Sequence, residues 1–360
     1  MDLLEQARAI INEVDAEMAQ LFVRRMEAVA MVAQYKQEHG LPVLDAAREE
    51  QVLRRGAERV ENEELRSYYV NFIRNNMAIS RSYQHRLLEG MRVAYCGTEG
   101  AFAHIATGKL FPSAERVAYG DFVAAYRAVE AGDCDAAVLP VENSYNGEVG
   151  QVTDLMFSGS LYVNAMLDLA VSHDLLVVPG TPREEIKTVL SHPQALGQCA
   201  EYIRKHGWET QEYTNTALAA KYVATKRDPS IAAIASEEAA GVFALEVMER
   251  NINASRSNTT RFAVFSRSED LHSARNGETF VLVFTVKNEA GSLARAIDVI
   301  GQHGFNMRNL RSRPMKELLW QYYFYVEAEG NVHTEAGKDM MHELENFCDR
   351  LKLVGTYAGV

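Results

Sequence analysis

The first glycine of this chain is Gly40 and its first proline is Pro42. Residues 1–39 thus lack both residue types that interrupt a helix interior, and they predict one continuous helix. At 1.5 Å per residue such a rod is about 55 Å long, too long for one small globule to cover. It must lie along something of similar length, and a second copy of itself is the simplest partner. At 100° per residue, Ile11, Val14, Met18, Leu21, Phe22, Val29 and Val32 share one arc roughly 100° wide. Arg25 and Lys36 fall inside that arc, and Arg8 lies at its edge. Cations on a packing face are costly unless an anion meets them. Either acidic side chains of a neighbouring helix pair with them, or they hold an anionic ligand; three on one stripe favour the ligand. Arg8 and Arg25 are about 25 Å apart along the helix, so one small ligand reaches both only if Arg8 comes from an antiparallel partner. The expected site is shared between two chains.

Asp45 is a good N-cap for a second helix whose first turn holds Arg48 and Glu49. A third helix over residues 64–89 turns Tyr69, Phe72, Ile73, Met77 and Leu87 inward. Ser80 and Gln84, four residues apart, interrupt that face with polar groups, as either a polar seam or part of a site. From 91 to 268 the grammar changes. The strand-like runs 92–95, 136–141, 187–190 and 230–235 are each followed by a loop and a helical stretch, which predicts a parallel α/β arrangement. Polar residues 269–277 read as a linker. Beyond them come a strand (280–286), a helix (292–303), two strands (305–312 and 319–327), a helix (334–351) and a short last strand, the βαββαβ order of a ferredoxin-like domain.

A chain of 360 residues makes two to three domains of about 150 residues. The 49 acidic against 37 basic residues give a net charge of −12, which argues against nucleic acid or an anionic membrane as a general partner. Cys96, Cys134, Cys199 and Cys348 form no CxxC pair, so neither a zinc knuckle nor a disulfide framework is expected. The charged opening is no signal peptide, and no apolar run reaches the roughly 18 residues of a membrane span. A cytoplasmic protein is expected. Without GxGxxG, a P-loop or HExxH, no nucleotide, metal or other cofactor is expected either.

Polar motifs gather at the ends of the central strands. Gly97 to Phe102 form a strand–helix loop able to present backbone N–H groups to an anion. Glu142-Asn143 ends a strand. Ser191-His192-Pro193-Gln194 lies between strand and helix, and Asn258-Thr259-Thr260-Arg261-Phe262 leads into another strand. Singly each reads as a cap or turn. Together, beyond the strand C-termini of an open sheet, they mark a ligand crevice.

The set Arg8, Arg25, Lys36, Asp45, Arg48, Glu49, Ser80 and Gln84 resembles, in type and spacing, the all-helical chorismate mutase family, over residues 1–90. That resemblance implies an intertwined dimer that rearranges chorismate to prephenate without a nucleophile or metal. Arg25 and the partner copy's Arg8 would clamp the two carboxylates. Lys36 and Gln84 would stabilise the ether oxygen as charge builds on it. Glu49 with the Asp45 backbone would hold the ring hydroxyl, and Arg48 and Ser80 would order the carboxylate side.

Residues 91–268 resemble prephenate dehydratase through Thr260-Arg261-Phe262, Glu142-Asn143 and Ser191 to Gln194. The resemblance implies two α/β lobes of the periplasmic-binding-protein-like kind with the active site in their cleft. Thr260 is the implied catalytic hydroxyl; Glu142, Asn143, Ser191 and Gln194 are implied substrate contacts, and Arg261 a carboxylate partner or a brace. Ala101 stands where some relatives carry a hydroxyl residue, and no catalytic role is assigned to it. Residues 278–360 resemble the ACT module, in which phenylalanine binds between paired modules. Its signatures read here Gly291-Ser292-Leu293-Ala294 and Arg311-Ser312-Arg313-Pro314, so Arg311 replaces the family's acidic residue and reverses a charge beside the effector residues Ser312, Arg313 and Pro314. The whole is expected to be a bifunctional enzyme of phenylalanine biosynthesis, a homodimer or larger. Alternatives are a non-catalytic amino-acid sensor and a monofunctional dehydratase with a dimerising helical segment.

Overall fold

The computed structural model describes residues 2–254, 258–270, 279–315 and 320–358. It divides into two compact units: residues 1–92 with 132–135, and residues 93–131 with 136–360.

The first unit is helical: α1 (Leu3–His39), α2 (Ala46–Glu58) and α3 (Glu63–Glu89). A capping box starts α1, with the Asp2 carboxylate accepting from the Glu5 N–H at 2.8 Å and the Glu5 carboxylate accepting from the Asp2 N–H at 3.1 Å. Gly40 ends it at φ +63°, the left-handed conformation that glycine adopts without strain. Asp45 caps α2 and Asn62 caps α3. Of the 37 residues of α1 only Ala33 is buried. Ile11, Val14, Met18, Leu21, Phe22 and Val32 of the apolar stripe are 40–61% exposed, so one chain does not cover it.

The second unit holds three sheets. Its strands are β1 (Arg92–Cys96), β2 (Glu115–Tyr119), β3 (Ala136–Asn143), β4 (Gly147–Glu148), β5 (Tyr162–Ala170), β6 (Asp174–Val177), β7 (Thr188–Ser191), β8 (Glu209–Glu212), β9 (Ile231–Ala235), β10 (Glu246–Glu249) and β11 (Thr259–Ser266). The C-terminal strands are β12 (Thr279–Val286), β13 (Asn306–Pro314), β14 (Tyr322–Glu329) and β15 (Cys348–Tyr357). The helices between them are α4 (Phe102–Leu110), α5 (Phe122–Ala131), α6 (Gly150–Ser158), α7 (Pro193–Gln198), α8 (Ala200–His206), α9 (Thr216–Lys226), α10 (Glu237–Phe243), α11 (Ser292–Gln302) and α12 (Glu335–Leu344).

One lobe is a sheet of order β2-β1-β3-β11-β5 with β4 on β3; the other has order β10-β6-β9-β7-β8. The expected parallel arrangement is only half right. β1 runs parallel to β3, and β7 parallel to β8 and β9. β11, however, returns from the second lobe and enters the first sheet antiparallel to both β3 and β5, and β6 is antiparallel to β9 and β10. The chain thus crosses between lobes twice, so the first lobe is discontinuous in sequence. Val93, Ala137, Val138, Leu139 and Phe265 of the first sheet and Leu175, Leu176, Val189 and Leu190 of the second are fully buried, so each sheet carries its own core.

The C-terminal sheet has order β13-β14-β12-β15, all antiparallel, with α11 and α12 packed on it: the βαββαβ topology. The last helix is shorter than expected. α12 ends at Leu344, and residues 348–357 pair with β12 as a ten-residue strand. Phe347, Cys348 and Leu351 continue the helical spacing of Met340 and Leu344, but ladder pairing outweighs that pattern. Residues 271–278, most of the expected linker, and residue 319, the expected start of a strand, lie outside the described residues. Among the described residues no helix is long and apolar enough to cross a membrane.

Candidate active sites

In the helical unit, α1 and α3 bring together three of the sequence-predicted groups. Arg25 Nη1 donates to Ser80 Oγ, which donates to the Asn76 carbonyl at 2.7 Å. Gln84 Nε2 donates to the Ser80 carbonyl at 3.3 Å, and Gln84 Oε1 is buried without a partner among the described residues. Burial lowers the Arg25 pKa by disfavouring the charge. Lys36 Nζ donates to the Val43 carbonyl in the connection to α2. The Asp45 carboxylate accepts from the Arg48 N–H at 2.9 Å, Arg48 Nη1 bonds Gln51 Oε1, and Glu49 is paired with Arg81. Among the described residues, none of Arg8, Arg25, Lys36 and Arg48 closes onto a carboxylate. Arg8 is exposed on the first third of α1, beyond reach of Arg25 in the same chain.

In the second unit a cavity of about 230 Å³ is lined by Phe102, Asn143, His173, Gln194, Asn258 and Thr260, among others. Asn143 ends β3 and Thr260 is the second residue of β11; they are cross-strand partners. Asn143 Nδ2 donates to Thr260 Oγ1 at 2.9 Å and to Asn258 Oδ1 at 2.9 Å, while Asn143 Oδ1 accepts the N–H groups of Tyr145 and Asn146, both at 3.0 Å. The amide is fixed at both ends. Thr260 Oγ1 serves as an acceptor there, which leaves its own hydrogen without an acceptor among the described residues.

Three sequence-predicted contacts are not at the cavity. Ser191 is fully buried and donates to the Ile234 carbonyl, bracing β7 against β9. Glu142 is paired with Arg311 at 2.5 Å. Arg261 is a brace, held by Asp168 at 2.8 and 3.2 Å and by Glu327 at 3.4 Å; these carboxylates push its pKa further up.

Sequence reasoning missed His173 and Gln198. His173 Nε2 bonds Gln198 Oε1 at 2.9 Å, and the same oxygen accepts from Asn258 Nδ2 at 2.9 Å, so the polar chain runs from His173 to Thr260. Burial pushes the His173 pKa down to about 4, which keeps the ring neutral. No local motif marks either residue; Gln198 ends α7, and only the fold brings it to Asn258.

In the C-terminal domain, Gly291 adopts φ +81° at the N-cap of α11, and Ser292, the first residue of that helix, is buried. Leu293 packs against the core there, and Ala294 continues the first turn. Arg313 is paired with Asp154 at 2.9 Å and Glu148 at 3.6 Å.

Residues 7–85 match the chorismate mutase type II family and residues 93–270 the prephenate dehydratase family. A bifunctional chorismate mutase/prephenate dehydratase of Enterobacter agglomerans is 30% identical over 96% of this chain and 94% of its own length. Among solved structures, a quorum quenching acylase is 26% identical, with a TM-score of 0.68 over 75% of this chain and 98% of that one. A prephenate dehydratase from Arthrobacter aurescens, solved with L-Phe, has the same TM-score at 24% identity over 74% of this chain and 90% of that one, a likeness of fold. With both catalytic segments matched in order and a relative aligned from end to end, the chain belongs to the bifunctional chorismate mutase/prephenate dehydratase family.

Proposed function

We propose that the two units carry successive steps on one substrate. The chain is a chorismate mutase and a prephenate dehydratase of phenylalanine biosynthesis. In the helical unit Arg25, with Ser80 behind it, holds a carboxylate of chorismate, and Arg8 of a second copy holds the other. Lys36 and Gln84 stabilise the negative charge that grows on the ether oxygen as the bond breaks, a contact stronger in the transition state than in the ground state. Glu49, with the Asp45 turn, holds the ring hydroxyl, and Arg48 and Ser80 order the carboxylate side. The rearrangement breaks and makes bonds within one molecule, so positioning and charge supply the catalysis.

In the cleft, prephenate loses its ring carboxylate as carbon dioxide. The electron pair released forms the aromatic ring and expels the ring hydroxyl, which leaves as water once protonated. Thr260 is the donor to that departing oxygen. The supporting observation is the Asn143–Thr260 bond: an amide donating to Oγ1 fixes the oxygen and leaves the hydroxyl hydrogen for the ligand. Gln194 lines the same cavity. Residues 291–294 and 312–314 form the effector region of an ACT-like module that takes phenylalanine between two copies. The uncovered apolar stripe of α1 supports a homodimer.

The deciding experiment supplies chorismate to the purified protein and follows chorismate, prephenate and phenylpyruvate separately. Chorismate should fall and phenylpyruvate should rise. Unchanged chorismate would refute the mutase reading, and accumulating prephenate the dehydratase reading. Titration calorimetry that detects no phenylalanine binding, with kinetics unchanged at millimolar effector, would remove the regulatory reading.

A further inference from the structure

The strand ends that carry Asn143 and Thr260 have a second face. Side chains of consecutive residues in a strand point to opposite sides. Glu142 precedes Asn143 in β3, Arg261 follows Thr260 in β11, and Glu142 and Arg261 are themselves cross-strand partners. The cavity is on one side of this four-residue plaque and the C-terminal sheet is on the other.

Both outer residues are gripped from that sheet. Arg311 of β13 pairs with Glu142 at 2.5 Å, its Nε donates to Asn309 Oδ1 at 3.1 Å, and its guanidinium lies 5.9 Å above the Tyr325 ring. Glu327 of β14, 3% exposed, reaches Arg261 at 3.4 Å. Its other partners are Tyr325 Oη at 3.3 Å and Tyr357 Oη at 2.5 Å. Tyr325 joins the two grips, with its ring under Arg311 and its hydroxyl on Glu327. Such charge-assisted contacts have strict geometry, and they add little net stability once desolvation is subtracted. Their natural output is therefore position.

We propose that Arg311 and Glu327 are positioning residues of the dehydratase: from the C-terminal sheet they fix Glu142 and Arg261, and through them the alignment of Asn143 with Thr260. The inference rests on the assignment of the cleft as the dehydratase site.

The test is steady-state turnover of prephenate by the full chain. Arg311→Gln should lower kcat about tenfold with KM changed less than about threefold, since a misaligned donor slows the chemical step more than it weakens binding. Arg311→Lys, which keeps the charge, should recover part of that loss. Glu327→Gln, nearly the same shape, should also lower kcat. Glu142→Arg and Arg311→Glu should each be inactive or slow alone, and together should return kcat to within about threefold of the parent. Thermal melts of every variant separate misfolding from misalignment, and the charge-swapped pair has to fold to be active at all. An Arg311→Gln kcat within twofold of the parent, or a swapped pair no faster than its singles, would overturn the proposal. Thr260→Val, run in parallel, distinguishes the two failures. If it stays active, the cleft assignment falls and takes the proposal with it; if it is inactive while Arg311→Gln is fully active, only the positioning role falls.

Discussion

Thr260 and Lys36 each hold a position in which one hydrogen-bonding group decides a rate. Thr260→Val keeps the β-branched shape of β11 and removes only the hydroxyl. Prephenate turnover should fall by about 10²–10³-fold, the usual loss when one transition-state donor is removed, while chorismate is still consumed. Lys36→Ala should do the reverse, with chorismate turnover lost and added prephenate still converted. Following both reactions on each variant is the check, and equal loss of both activities in either would refute separate sites. His173 offers a different readout. Its native pKa is pushed down to about 4, whereas an unfolded histidine titrates near 6.5. Between about pH 6.5 and 4 the unfolded chain thus binds a proton that the native chain refuses. The stability this neutral ring confers is complete above pH 6.5 and is lost as pH falls through that window. Melting midpoints at pH 7 and pH 4.5 should therefore differ less in His173→Gln than in the parent.

β11 and β15 show where local sequence stops being informative. The opening helix was legible because a stretch without glycine or proline, closed by Gly40 and Pro42, has few other options. Likewise the apolar runs at β1, β3 and β9 have the length and composition of buried strands. Thr260-Arg261-Phe262 was legible as a motif, yet nothing within it says that its strand runs antiparallel between β3 and β5, a pairing made by residues about a hundred positions away. That insertion turns Arg261 away from the cavity, so the residue became a brace. The Glu142–Arg311 pair spans a still longer stretch of sequence, and was likewise unreadable. In β15 the helical period of Met340 and Leu344 runs on through Leu351, and only the ladder with β12 settles the matter. Gly355 marks how closely that strand approaches β5: a Cβ there would lie 2.0 Å from the Val163 carbonyl oxygen. Backbone cannot yield as a side-chain tip can, so Gly355→Ala should cost about 1–3 kcal/mol or more. Calorimetry should show a lowered transition for the second unit, and an unchanged midpoint would contradict the contact.

Within one copy the helical unit does not bring Arg8 and Arg25 together. Its α1 leaves most of the apolar stripe exposed, and Arg8 is separated from Arg25 by about 25 Å of helix. If a second α1 covers that stripe in antiparallel sense, each of two equivalent sites takes Arg25 from one chain and Arg8 from the other. Arg8→Ala and Arg25→Ala should then each be nearly inactive on chorismate. Mixed in equal amounts and allowed to exchange subunits, they form mixed dimers as half of the population. Each mixed dimer has one site with both arginines and one with neither, so about a quarter of the parental activity should return. Prephenate turnover by the same samples should stay at the parental level throughout, because neither arginine belongs to the second unit. Sedimentation would report the dimer, and its concentration dependence should match that of chorismate turnover. A mixture no more active than its components, after exchange is demonstrated by differently tagged chains, would refute the shared arrangement.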